Sequence, residues 1–349
     1  MIPLPEIITK KFISSSLLIK EDEFSLTKIA GDASFRSYYR INSDKKSFVL
    51  MFAPPKFEKT SPFIEVANIL IDNQINAPKI IAKNQAEGLL ILEDFGDFTL
   101  AKFIQNNISI LENKQLALNE EFRLYKMACD SLLKISEINQ FGNIPRYNNG
   151  EMFREMMLFV DWYLPHIKIN LSDTDKGLFK KLCFDLFDNL SNNNQVLVLS
   201  NNNQVLVLRD YHSENIMVIN QDKLGLLDFQ DALIGSPAYD FLSLLEDARR
   251  DIKPDIAKSL FQYYQENSSF DKRQFAIDYA IFSLQRNLKI LGIFCRLANR
   301  DGKSQYLELL PRVFEFIKSR CSLEICPFSN IQLPMIKPLV DFLKTTLSI

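Results

Sequence analysis

Histidine is almost absent from this chain of 349 residues, which has two. No Cys-x-x-Cys pair occurs among the five cysteines (Cys129, Cys183, Cys295, Cys321, Cys326), and together these scarcities exclude the usual zinc sites. An odd, widely spaced set of thiols is no disulfide framework either, and reads as reduced, packed side chains. Excess positive charge is also lacking. The formal net charge is −2 and Lys and Arg are scattered, so neither nucleic-acid binding nor attraction to an anionic membrane has a footprint. No apolar run approaches the length of a bilayer span. The first residues, MIPLPEIITKKFISSS, lack the charged start and continuous apolar core of a secretory signal. The expectation is a cytoplasmic protein that partners neither nucleic acid nor membrane, with its oligomeric state left open.

What is present is ordinary globular material, 47% apolar and 24% charged, enough for two lobes sharing a cleft. SFRSYYRIN and KKSFVLMFA are short aromatic or β-branched runs on either side of a polar turn, and GLLILED is a third. Between them, SPFIEVANILIDNQI spaces Phe63, Val66, Ala67 and Leu70 at a helical period. From about Thr99 the pattern turns long and helical, in LALNEEFRLYKMACDSLLKISEI, GEMFREMMLFVDWYL and TDKGLFKKLCFDLFDNL. QVLVLRDYHSENIMVI and KLGLLDFQD interrupt it as an inserted hairpin. The expected fold is α+β: a small β-rich lobe over residues 1–93 and a large helical lobe over 94–349. SNNNQVLVL occurs twice in tandem, at 191–199 and 200–208, which reads as a single duplication whose first copy forms a surface hairpin or bulge.

Asp210 and Asn215 stand five apart after the second copy, and Asp228 ends the next apolar run. Phosphoryl transfer needs a carboxylate to orient the attacking hydroxyl and hard oxygen ligands to hold Mg²⁺ against phosphate. Asp210 fits the catalytic base, and Asn215 and Asp228 fit the metal ligands. Taken singly, each is as readily a turn residue. In GDASFRSYYRI, Gly31 permits a tight turn, and Ser34 with nearby N–H groups fits phosphate oxygens.

The blocks GDASFRSYYR, GLLILEDFGD, RDYHSENIMV, LLDFQDALIGSPAYDFLSLLED and LQRNLKILGIFCRLANRDGK resemble the aminoglycoside phosphotransferase family of the protein-kinase-like superfamily. Within it the chain is most similar to the bacterial anomeric kinases that phosphorylate N-acetylmuramate and N-acetylglucosamine in cell-wall recycling. The resemblance implies a bilobal protein-kinase-like fold, ATP and Mg²⁺ as cofactors, and adenine held by backbone near Glu93 to Phe95. It also implies that Asp240 buttresses the catalytic loop. For the sugar it points to Glu155, Asp161, Trp162, Tyr163, Arg296 and Arg300, although Trp162 and Tyr163 fit a helix core equally well.

Two positions depart from the family pattern. Met51 stands where a strand lysine usually meets ATP phosphates, and Arg36 or Arg40 is the candidate to supply that charge. Leu208 replaces the histidine that usually precedes Arg-Asp. Besides the amino-sugar kinase, the sequence therefore leaves open an impaired or nucleotide-binding pseudokinase relative, or a kinase for an aminoglycoside or other small alcohol.

Overall fold

In the computed structural model, residues 4–30, 35–44, 46–190, 204–322, 326, 328–329 and 331–349 are described. The chain opens with helix α1 (Glu6–Leu17), strands β1 (Phe24–Ala30), β2 (Ser37–Ser43) and β3 (Ser47–Phe52), and helix α2 (Ser61–Asp72). Strands β4 (Ile80–Asn84) and β5 (Leu89–Glu93) and the short helix α3 (Leu100–Phe103) follow. Next come α4 (Lys114–Ser136), α5 (Asn149–Leu158), a π-helical turn (Phe159–Tyr163), α6 (Leu164–His166) and α7 (Asp173–Phe187). Strands β6 (Val205–Val207), β7 (Ile216–Asn220), β8 (Lys223–Leu226) and β9 (Leu233–Gly235) precede α8 (Ala238–Leu245), α9 (Pro254–Asn267) and α10 (Lys272–Asp301). The chain closes with α11 (Leu310–Ser322) and α12 (Lys337–Leu347). The class is α+β, as expected.

The chain divides into two units: residues 1–106 with 214–231, and residues 107–213 with 232–349. In the first, five antiparallel strands run in the order β1-β2-β3-β5-β4. Apolar side chains on one face of the inner strands (Ile41, Leu50, Phe52, Leu89, Ile91) pack on Ile13 of α1, and burying such a face sets the register. The two outer strands, β1 and β4, escape the sequence reading, as does α1. β4, IIAKN, alternates partly buried and exposed positions, so it carries little of the apolar signal that marks an inner strand. On α2, Phe63 stacks on Phe229 at 4.9 Å between ring centroids.

The β7–β8 hairpin belongs to this first unit, not to the helical one, and so does the segment 94–106. Backbone hydrogen bonds account for that difference from the expected division at residue 93. Val218 N–H donates to Phe98 O at 2.8 Å, Leu226 N–H donates to Asn76 O at 2.8 Å, and Thr99 bridges Met217. The single inserted hairpin of the sequence reading is in fact two separate two-stranded sheets, β7-β8 and β6-β9.

The second unit is built around α10, thirty residues long, whose start is capped by Asp271 accepting from Gln274 N–H. Gly302, with φ +70°, ends it in the left-handed conformation that glycine adopts without strain. α10 is buried along most of its length, and its polar side chains are paired there. Tyr279, Ser283 and Asn287 all donate to the carboxylate of Glu246. The strand β6 comes from the second copy of the repeat. The first copy, for which a hairpin or bulge is expected, lies outside the described residues. Among the described residues no helix is long and apolar enough to cross a membrane.

Candidate active site

After β6 the chain enters the loop 208–213, which is fastened at both ends within the second unit. Asp240, in the first turn of α8 and 3% exposed, accepts from Leu208 N–H at 2.5 Å and Arg209 N–H at 2.8 Å. Asp247 Oδ2, just beyond the end of α8, accepts from Ser213 N–H at 3.1 Å and from Ser213 Oγ at 2.5 Å. Between these anchors, His212 N–H donates to Asp210 O at 3.0 Å, and Tyr211 Oη donates to Ala128 O at 2.8 Å. Asp210 thus sits on a stretch of backbone whose neighbours are fixed on both sides. Asp247 escapes the sequence reading. Its signal is the acidic pair Glu246-Asp247 that closes the apolar run PAYDFLSLLED.

The electrostatics of this loop follow from burial. It pushes the Asp240 carboxyl up to about 7, against the pull of its two N–H donors. His212 is held below its ordinary range, first by burial and then by the charge of Arg249. Arg209 has φ +75°, a left-handed backbone that costs a non-glycine residue about 1 kcal/mol or more. Its guanidinium donates to Glu155 and lies 5.7 Å from the Tyr147 ring centroid. Burial disfavours its charge, but Glu155 and the neighbouring tyrosines more than offset that, so Arg209 stays firmly protonated.

In the first unit, Leu227 N–H donates to Asn215 O at 2.9 Å, which sets Asn215 beside the residues that follow β8 and lead to Asp228. Asp228 has φ +57°, and its Oδ1 accepts from Gln230 Nε2 at 3.0 Å. A carboxylate and an amide oxygen at one end of a hairpin are hard donors of the kind Mg²⁺ takes, with its remaining positions left to water and phosphate. The donor set fits the ion.

Both arginines weighed for the charge missing at Met51 have acidic partners. Arg40 donates to Asp94 through Nε at 2.7 Å and Nη2 at 3.1 Å, and to Asp97 through Nη1 at 2.5 Å. Despite burial, these bonds hold the Asp94 carboxyl below its usual range. Arg40 is therefore a clamp on the segment after β5. Arg36, 8% exposed, lies 3.5 Å from Asp231, with Glu58 and Asp228 contributing to its field. Met51 is fully buried, paired with Tyr38 and Leu90 across the sheet. Glu93 ends β5, its N–H donating to Lys79 O at 2.9 Å. The Phe95 ring packs so closely on Gly225 of β8 that a Cβ there would fall 2.5 Å from it. Gly31 and Ser34 lie outside the described residues.

The expected sugar contacts are divided. Glu155 and Tyr163 are buried. Both Glu155 oxygens are occupied in a buried cluster with Arg209, Lys289, Tyr147 and Gln285, and Tyr163 is a core residue stacked on Phe159 at 5.4 Å. Lys289 and Arg209 hold the Glu155 carboxyl below its usual range although burial opposes this. Asp161 is exposed and Trp162 half-buried on the π-helical turn, a feature that recurs at functional sites. α10 packs on that turn, and Arg296 on α10 is half-buried, its Nε without a hydrogen-bond partner among the described residues. Arg300 is exposed and paired with Asp301 at 2.7 Å.

Comparison with known proteins supplies the context. A family model described as "Phosphotransferase enzyme family" matches residues 25–276. An N-acetylmuramate/N-acetylglucosamine kinase of Pseudomonas aeruginosa is 32% identical over 304 residues, covering 84% of this chain and 83% of that protein. One from Neisseria meningitidis is 29% identical, covering 88% and 89%. Among solved structures, a choline/ethanolamine kinase family protein of Mesorhizobium loti has a TM-score of 0.60 at 11% identity, covering 98% of this chain and all of the other. A spectinomycin phosphotransferase solved with ADP and spectinomycin has a TM-score of 0.59 at 12% identity, covering 85% and 93%. At such identities the structural likeness speaks for the fold, which is bilobal and protein-kinase-like.

Proposed function

The chain belongs to the phosphotransferase enzyme family, and on that premise we propose that it transfers the γ-phosphoryl group of ATP to the C1 hydroxyl of N-acetylmuramate or N-acetylglucosamine. Relatives at 32% and 29% identity carry those two sugars in their names and align along more than four fifths of this chain. The observation that supports the chemistry best is the Leu227 N–H to Asn215 O hydrogen bond, which ranges an amide and a carboxylate at one hairpin end. Asn215 stands five residues beyond Asp210 in the chain.

Asp210 orients the sugar hydroxyl and takes up its proton. A hemiacetal hydroxyl is more acidic than an ordinary alcohol, which eases that task. Asn215 and Asp228 would hold Mg²⁺, whose charge would offset that of the phosphates. Arg36 supplies the cation that Met51 cannot, Gly31 and Ser34 cover the phosphates, and backbone from Glu93 to Phe95 receives adenine. Asp161, Trp162 and Arg296 remain for the sugar, with Arg296 suited to a carboxylate. The reading as an impaired relative loses its main support at Leu208. There the backbone N–H meets Asp240, so the loop keeps that anchor without a histidine side chain.

The test is ATP turnover by purified protein with N-acetylmuramate, N-acetylglucosamine and an aminoglycoside, beside Asp210→Ala. Turnover with an amino sugar is expected, falling about 10²- to 10⁴-fold in the variant. Folded protein that binds Mg-ATP yet turns over neither amino sugar would sink the proposal.

A further inference from the structure

The cluster around Glu155 is odd for a simple core feature. Glu155 sits on α5 at 3% exposure, and its carboxylate collects four donors. Arg209 Nη2 and Lys289 Nζ (3.0 Å) meet Oε1, while Tyr147 Oη and Gln285 Nε2 (3.2 Å) meet Oε2. Lys289 also reaches Tyr239 Oη at 3.2 Å, and Gln285 reaches Tyr147 Oη at 2.9 Å. All of these residues belong to the second unit. A buried ion pair is weak evidence for stability, because desolvation consumes most of the Coulombic gain. Arg209 adds a further cost, since its φ of +75° is a conformation in which glycine would be free of strain.

Two unfavourable features therefore meet at one residue, and that residue immediately precedes Asp210. Its backbone N–H is held by Asp240 from α8, and its side chain is held by Glu155 from α5, which is itself braced by α10 through Gln285 and Lys289. We propose that Glu155 is a positioning residue for the reaction: by gripping the Arg209 guanidinium it locks the left-handed turn that presents Asp210 to the substrate hydroxyl. Three helices then converge on the orientation of one carboxylate, and the loss of the grip misplaces Asp210 without touching nucleotide or sugar.

The discriminating variant is Arg209→Gly. It relieves the backbone strain and leaves Glu155 paired one-to-one with Lys289, so folding is preserved while the grip is lost. Its kcat is expected to fall about 10- to 100-fold, with the KM values for ATP and sugar nearly unchanged. Amide hydrogens of residues 208–213 should exchange faster, while those of α10 stay protected. Arg209→Lys should restore part of kcat. The double variant Glu155→Gln/Lys289→Met removes the same grip from the other side and keeps the net charge of the cluster. It should match Arg209→Gly in both readouts, and combining the changes should cost nothing more. An Arg209→Gly protein with wild-type kcat and wild-type exchange over 208–213 overturns the proposal. The kinetic half rests on the phosphotransferase reading above, whereas the exchange half does not. If wild-type protein fails to turn over amino sugars, that reading falls, and the exchange comparison still decides the role of Glu155: faster exchange supports it and unchanged exchange overturns it.

Discussion

At the scale of single residues, the structure separates groups that look alike in sequence. Arg36 and Arg40 are four apart on neighbouring stretches, and Arg40 is bound bidentately by Asp94 while Arg36 lies beside Asp231. Arg36→Ala should raise the KM for ATP about tenfold or more, the cost of a charge-assisted contact. Arg40→Ala should instead strip the Asp94 side chain, 3% exposed, of its partner and lower stability by about 3 kcal/mol in urea unfolding. The reverse pattern would show the two roles exchanged. Asp240 carries a pH signature. The folded chain keeps its proton up to about pH 7, whereas the unfolded carboxyl loses it near 3.8. The folded state therefore holds the extra proton in that window, and this contribution to stability fades as pH rises, by at most about 1.4 kcal/mol per pH unit. Asp240→Asn removes that slope, so the stability gap between wild type and variant should narrow from about pH 4.5 to about pH 7.5. A gap that stays level instead would mean that the two N–H donors keep the carboxylate ionised throughout.

At the scale of elements, close approaches of backbone decide what the helices and hairpins tolerate. A Cβ on Gly292 of α10 would fall 2.2 Å from the backbone C and O of Leu158, where α5 gives way to the π-helical turn. Backbone on both sides leaves nothing to yield, so Gly292→Ala should cost about 3 kcal/mol. A Cβ on Gly225 meets the Phe95 ring, a side chain that can swing aside. Gly225→Ala should cost about 1 kcal/mol and show mainly as weaker ATP binding, read by titration with nucleotide. Equal losses of stability in both variants would contradict this distinction. Elements were legible in the sequence where one face is buried. α2 shows its helical spacing and β3 and β5 their apolar runs, while β1, β4 and the three-residue β9 do not carry enough pattern to be seen.

At the scale of the whole molecule, the tandem repeat poses the clearest question. The strand that pairs with β9 is Val205–Val207, and the Asp240 anchor falls on Leu208, the last residue of the second copy. Removing either copy leaves the same chain, SNNNQVLVL joined directly to Arg209. Deleting residues 191–199 should therefore preserve turnover and change stability by less than about 1 kcal/mol, since a nine-residue change in a connection costs little entropy. A deletion that abolishes folding would mean that both copies are structural.

The sequence alone determined the class of the fold and marked Asp210, Asn215 and Asp228 as the candidates for its chemistry. Apolar periodicity and the spacing of oxygen-bearing side chains are local properties, written along the chain. It could not show that Glu155 is enclosed by Arg209 and Lys289, that Arg40 is held by Asp94 and Asp97, or that the β7–β8 hairpin lies in the first unit. Those outcomes depend on which opposite charges and which backbone N–H and C=O groups meet across separations of up to 195 residues, as between Arg36 and Asp231. A buried charge takes its role from its partner, and only the tertiary structure chooses the partner.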